Sequence, residues 1–145
     1  IVELAKLTGC RTSVTTNGSI GSKDTWLALA ENNIEVRFSI DGLEDTNHIY
    51  RQDVQWNKIM ERVEWFISAG GHATWKWIPF KHNVHQREET EKLCQLPGGR
   101  GGKFKLPTLS ELYHFLFEKS FENTSDVDQF DLVTRVINDS KIDSS

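Results

Sequence analysis

The chain has 145 residues, 37% hydrophobic and 26% charged, with 17 Lys+Arg against 21 Asp+Glu and a net charge of −4. That balance argues against a basic protein that coats nucleic acid, and no apolar run approaches the ~18 residues of a membrane helix. A single soluble, core-forming domain is expected over most of this length. Cys10 and Cys94 are the two cysteines, far apart and outside any CxxC pair, so neither a disulfide scaffold nor a cysteine-bound metal cluster can be built from them alone. Reduced thiols and a cytoplasmic setting are the expectation. The start, Ile1-Val2-Glu3-Leu4, has no initiator Met and no signal-type stretch, and the sequence is expected to begin inside a longer reading frame.

Thr12 to Thr16 reads as a short strand that runs into Thr16-Asn17-Gly18-Ser19, where Asn-Gly signals a turn. One reading of this turn is purely local. The other is that Thr16 and Asn17 present polar groups at a strand end, beside a ligand that only Gly18 lets approach. A helix fits Asp24 to Glu31, closed by Asn32-Asn33. Ile34, Val36, Phe38 and Ile40 then alternate with Glu35, Arg37 and Ser39, the period of two that marks a strand at 34–40.

That strand ends in Ser39-Ile40-Asp41-Gly42, where a hydroxyl and a carboxylate two residues apart suit a ribose diol. An Asp-Gly turn is the plainer alternative. Residues 43–51 are polar and irregular, and Arg51 could grip a carboxylate or phosphate or simply pair with Glu44 or Asp45. Trp56, Ile59, Met60, Val63, Phe66 and Ile67 recur at helical spacing and stop at Gly70-Gly71. A strand at 73–80 follows, with Pro79 near its end, then a helix over Val84 to Leu96 with Asn83 as its N-cap. His82 and His85 could make half a metal site, but no second half is evident. No GxSxG, Walker loop, GxGxxG or HExxH is present, so ordinary hydrolase, NTPase and dinucleotide functions lack a motif.

The order strand, helix, strand, helix, strand, helix predicts an α/β fold of parallel βαβ units with right-handed crossovers. Ligands in such sheets bind beyond the carboxyl ends of the strands, which places Thr16-Asn17-Gly18, Ser39-Ile40-Asp41-Gly42 and Phe80-Lys81-His82-Asn83 on one rim. The run Leu96-Pro97-Gly98-Gly99-Arg100-Gly101-Gly102 breaks regular structure and marks a boundary. All five Trp precede it. Three units are therefore expected, at 1–96, 97–139 and a frayed tail at 140–145.

Taken in order, Thr16-Asn17-Gly18, Phe38-Ser39-Ile40-Asp41-Gly42-Leu43 with Asn47, His48 and Tyr50-Arg51, and Trp77-Ile78-Pro79-Phe80-Lys81-His82-Asn83-Val84-His85-Gln86 resemble the radical SAM superfamily. The closest likeness is to its molybdenum-cofactor and SPASM-maturase branch, where a TNG-like strand end, an S-x-DG-like strand end and a strand closing in an N-x-x-x-E/Q-like turn occur. The resemblance covers residues 1–96. It implies a partial (β/α) barrel of parallel strands with crossover helices, truncated here at its N-terminus, and an enzyme that cleaves S-adenosylmethionine reductively on a 4Fe–4S cluster. The resulting radical would take hydrogen from a small-molecule or peptide substrate.

By that resemblance Ser39 and Asp41 would lie beside the ribose or the substrate, with Thr16, Asn17 and Gly18 at the neighbouring strand end. Arg51 would approach the methionine carboxylate, and Asn83 would sit on the rim. The family's CxxxCxxC and GGE-like segments are absent from this chain, and Cys10 and Cys94 do not replace three close thiolates. The chain alone is therefore expected to be inactive in radical chemistry, and a non-catalytic α/β binding module is the alternative.

Residues 92–120, from Lys92-Leu93-Cys94 through Leu106-Pro107-Thr108-Leu109-Ser110-Glu111-Leu112, also resemble DEDD-type 3'–5' exonucleases. A nucleic-acid partner and two-metal cleavage follow only from that second resemblance, whose HDA-x3-D run and D-x-E motif are missing. Otherwise Lys103 to Leu106 is a further barrel strand and Leu109 to Lys119 its helix. A sheet lacking its first strands is expected to expose an edge at Thr12–Thr16 and apolar helix residues such as Trp26 and Leu29, favouring self-association.

Overall fold

Branched and aromatic residues alternating with polar ones fix where the strands lie, and glycines fix where the helices stop. The structure, a computed structural model, describes residues 1–95 and 103–108. In order the elements are helix α1 (Val2–Thr8), strand β1 (Ser13–Thr16), helix α2 (Lys23–Glu31), strand β2 (Glu35–Ser39), the single turn α3 (Asn47–Tyr50) and helix α4 (Trp56–Ser68). Strand β3 (His72–Lys76), a 3-10 turn at Val84–Gln86, helix α5 (Arg87–Cys94) and strand β4 (Lys103–Lys105) follow. The four strands form one sheet in the order β1-β2-β3-β4, with every neighbouring pair parallel.

Helices cover one face of this sheet. Val36 pairs with Ala73 and Phe38 with Trp75, so these four residues project to the same side, where Trp26 of α2 and Ile59, Val63 and Phe66 of α4 bury them. Phe38 stacks on Trp26 with ring centroids 5.3 Å apart and meets Phe66 and Phe104 edge-on. Trp75 stacks on Phe104 at 5.2 Å, and its indole N–H donates to the Ile40 carbonyl at 2.8 Å. Two adjacent parallel strands are thus held together by an aromatic layer as well as by their ladder.

Several elements differ from the sequence expectation for identifiable reasons. Trp26 and Leu29 are buried, not exposed, because α2 lays them on β2 and α4. The expected helix over 84–96 is a 3-10 turn followed by α5, and Asn83 does not cap it through its side chain, which is engaged elsewhere. The strand expected over 73–80 ends at Lys76, three residues before Pro79. Residues 47–50, read as irregular, form one helical turn, and α1 was not visible in the hydrophobic pattern because none of its residues is buried. Helix α4 stops as expected, with Gly70 at φ +93 just beyond its Ala69 cap.

A further strand, expected over residues 103–106, is present as β4 beside β3; the helix expected at 109–119 and the tail lie outside the described residues. Among the described residues the outer edge of β1 has no strand partner, and no helix is long and apolar enough to cross a membrane. Trp75→Ala is expected to destabilise the fold by about 3–5 kcal/mol in urea unfolding. The same change at exposed Leu7 should fall within about 0.5 kcal/mol of the unaltered chain.

Candidate functional site

The carboxyl ends of β2 and β3 meet around a single carboxylate. Asp41 is wholly buried just beyond β2; its Oδ2 accepts from Arg51 Nε at 2.7 Å and its Oδ1 from the Ile78 backbone N–H at 3.2 Å. The Asp41 backbone is held as well: its N–H donates to Asn47 Oδ1 at 2.9 Å, and its carbonyl accepts from Asn83 Nδ2 at 2.8 Å. Asn83 Nδ2 also donates to the Ile78 carbonyl at 2.9 Å, while its Oδ1 accepts from the Phe80 N–H at 2.7 Å. One aspartate and two asparagines therefore join three chain segments that share no regular ladder.

A second cluster extends the first. Gln86 Oε1 accepts from the Leu43 N–H at 3.1 Å and from the Thr46 hydroxyl, and its Nε2 donates to Asp45 Oδ1 at 2.6 Å. Thr90 in α5 donates to the Gln86 carbonyl at 2.9 Å. Gly42, at φ +150, is required here: a Cβ would lie 2.2 Å from Thr46 Oγ1 and 3.0 Å from the Asn47 nitrogen. Burial pushes the Asp41 carboxyl above its ordinary range, and the Arg51 charge and hydrogen bond, the Ile78 N–H and the Lys76 charge pull it back.

Of the residues singled out in the sequence, Asp41, Arg51 and Asn83 come together in this network. Arg51 pairs with Asp41, not with Glu44 or Asp45. Ser39 is buried at the last position of β2. Thr16, Asn17 and Gly18 form a separate turn at the end of β1, satisfied from within: Gly18 N–H donates to Thr16 Oγ1 at 3.1 Å, and Ser19 donates to Asn17 Oδ1 through its N–H at 3.0 Å and its hydroxyl at 2.7 Å. The close approach at Gly18 is to the core and not to a ligand, since a Cβ there would meet Ile59 Cγ2 at 3.1 Å and Phe38 Cδ1 at 3.2 Å. Arg62 of α4 ties the turn down by donating to the Gly18 carbonyl at 2.9 Å.

Sequence reasoning did not assign Thr46, Gln86 and Thr90. Their signal was weak: isolated polar residues in polar segments, with nothing to show that they face inward. Among the described residues no three potential metal ligands converge, so His82 and His85 gain no partners there. Cys10 is exposed and Cys94 half-buried, both free, and burial pushes the Cys94 thiol up to about 12. Two thiols, one exposed and one half-buried, are fewer than a 4Fe–4S cluster takes, so these residues do not fit it. The exonuclease-like stretch from Leu109 onward lies outside the described residues.

Comparison with known protein families, curated proteins and solved structures finds no match to this chain. What the geometry defines is an α/β unit whose strand ends are locked by buried polar groups. Arg51→Ala would leave the Asp41 carboxylate buried and unpaired, at a cost of about 3 kcal/mol near neutral pH. With Arg51 gone the folded pKa of Asp41 rises further above its unfolded value of about 4, so the folded state holds the extra proton between the two and stability falls as pH rises through that window. Urea unfolding at several pH values should therefore show a deficit, relative to the unaltered chain, that opens above the ordinary carboxylate range, once pH passes the already raised folded pKa of Asp41, and grows from there; a flat or shrinking deficit would mean Arg51 does not neutralise Asp41.

Proposed function

We propose that this chain supplies central strands of a radical SAM-type partial barrel and frames its ligand pocket without carrying redox chemistry itself. The observation that supports this reading is the one-sided sheet. Doubly wound parallel sheets carry helices on both faces, and closed (β/α) barrels fill their interior with branched apolar residues. Here α2 and α4 cover one face, and among the described residues the other is built of polar side chains from β1, β2, β3 and β4. A polar inner face suits a barrel that encloses a ligand.

In this reading, contacts to S-adenosylmethionine come from Ser39 and the Asn17 side-chain amide at the rim, while Asp41, Arg51 and Asn83 hold the rim in shape. The thiols do not suit a cluster, so iron–sulfur chemistry and the hydrogen abstraction from a small-molecule or peptide substrate are assigned to protein outside these residues. Self-association through the open edge of β1 belongs to the same proposal. The alternative, a non-catalytic α/β binding module, draws on the complete internal engagement of Asp41.

The test is an NMR titration of the full chain with S-adenosylmethionine. Saturable shifts are expected at residues 16–18 and 39–42, weakened by Asn17→Ala, with Val63 and Phe66 unmoved. No shift at millimolar ligand would sink the radical SAM reading and leave the binding module. Anaerobic incubation with iron and sulfide should leave this chain's iron content at background.

A further inference from the structure

Parallel pairing lines up in rows the residues of the sheet face opposite α2 and α4. One row runs Thr15, Arg37, Thr74, Lys105 across all four strands, and the next brings Ser39 beside Lys76. Strand alternation sends these side chains away from Val36, Phe38 and Trp75, to the side opposite α2 and α4, where no helix packs among the described residues. Arg37 and Lys105 are exposed, and neither makes an ion pair among the described residues. Glu35, a carboxylate within electrostatic range of both, is already taken by Arg11, whose hydrogen bond is the main cause of its lowered pKa; the charges of Arg37 and Lys105 add to that lowering. So two cations sit within electrostatic range of one spent acid, on a chain whose overall charge is −4.

We propose that this row binds a phosphate group of a small anionic molecule, with Arg37, Thr74 and Lys105 as donors. Arg37 and Lys105 stand two strands apart, about 10 Å between Cα atoms, with Thr74 on the strand between them. Their long side chains can close on one group from either side while the hydroxyl donates from below. A phosphate, with three peripheral oxygens, accepts from all three; a carboxylate is saturated by the guanidinium fork alone. Three such donors are too few for the run of backbone phosphates that a polynucleotide surface engages. This inference shares with the reading above only the premise that the bare face is the ligand side.

The test is an NMR titration of the full chain with inorganic phosphate and with pyrophosphate at low ionic strength. It is repeated on Arg37→Ala, Lys105→Ala and the control Lys92→Ala, which removes an exposed lysine paired with Glu88 on α5. Saturable shifts at residues 37, 74 and 105 are expected, with roughly tenfold weaker binding in each of the first two variants and none of that loss in the control. Absence of saturation, or equal weakening in Lys92→Ala, would overturn the proposal. So would tighter binding to oligonucleotides as their length increases. Pyrophosphate binding without S-adenosylmethionine binding would keep this inference and remove the radical SAM reading; the reverse would remove only this one.

Discussion

The constraint on which the strand-end region depends is the burial of one charge. A carboxylate out of water is stabilised only if its oxygens are matched, and Asp41 is matched by Arg51 and by the Ile78 N–H. Meeting that requirement fixes the loop of residues 41–51 against the segment after β3. Asn47 and Asn83 then satisfy the backbone groups that a non-ladder crossing leaves without partners. Gly42 is the position where the chain passes too close to Thr46 for any side chain.

Beneath the lock, the sheet is held by apolar burial rather than polar matching. Phe38 and Trp75 lie side by side on paired strands, and each reaches an aromatic neighbour, Trp26 for the first and Phe104 for the second. The indole of Trp75 links the two regimes, since its N–H reaches the Ile40 carbonyl one residue before Asp41. The helical face thus sets the position of the rim, and the rim sets which groups are left for a ligand. Among the described residues the polar face opposite takes no part in this packing.

The strands and the crossover helices α2 and α4 were legible because their apolar residues repeat with periods of two and 3.6, and α4 stops at the glycines that end its pattern. Helix α1 was not, since it buries no residue and so leaves no periodic trace. The candidate residues were legible only in part: Asp41, Arg51 and Asn83 converge, whereas Thr16, Asn17 and Gly18 form a turn of their own, and the role of the three was not legible. Composition cannot tell a carboxylate that faces a ligand from one that is closed in by Arg51 and the Ile78 backbone, because that closure depends on a fold that brings residue 78 beside residue 41. Gly18 shows the same ambiguity: its Asn-Gly turn was plain, but the neighbour it makes room for is the core. Gln86 stood in the quoted turn after β3, but its pairing with Thr46 was hidden because a buried polar pair and a solvated polar loop have the same residue types.

Amide hydrogen exchange at Asp41, Leu43, Ile78 and Phe80 tests the polar lock most directly, since each of these N–H groups donates to a side chain of the network and to no strand ladder. If the network is a permanent part of the fold, all four should exchange as slowly as Phe38 and Trp75, through the same opening of the sheet. Exchange at the rate of exposed Lys81 would mean that the rim opens on its own, and that Asp41 is available to a ligand after all.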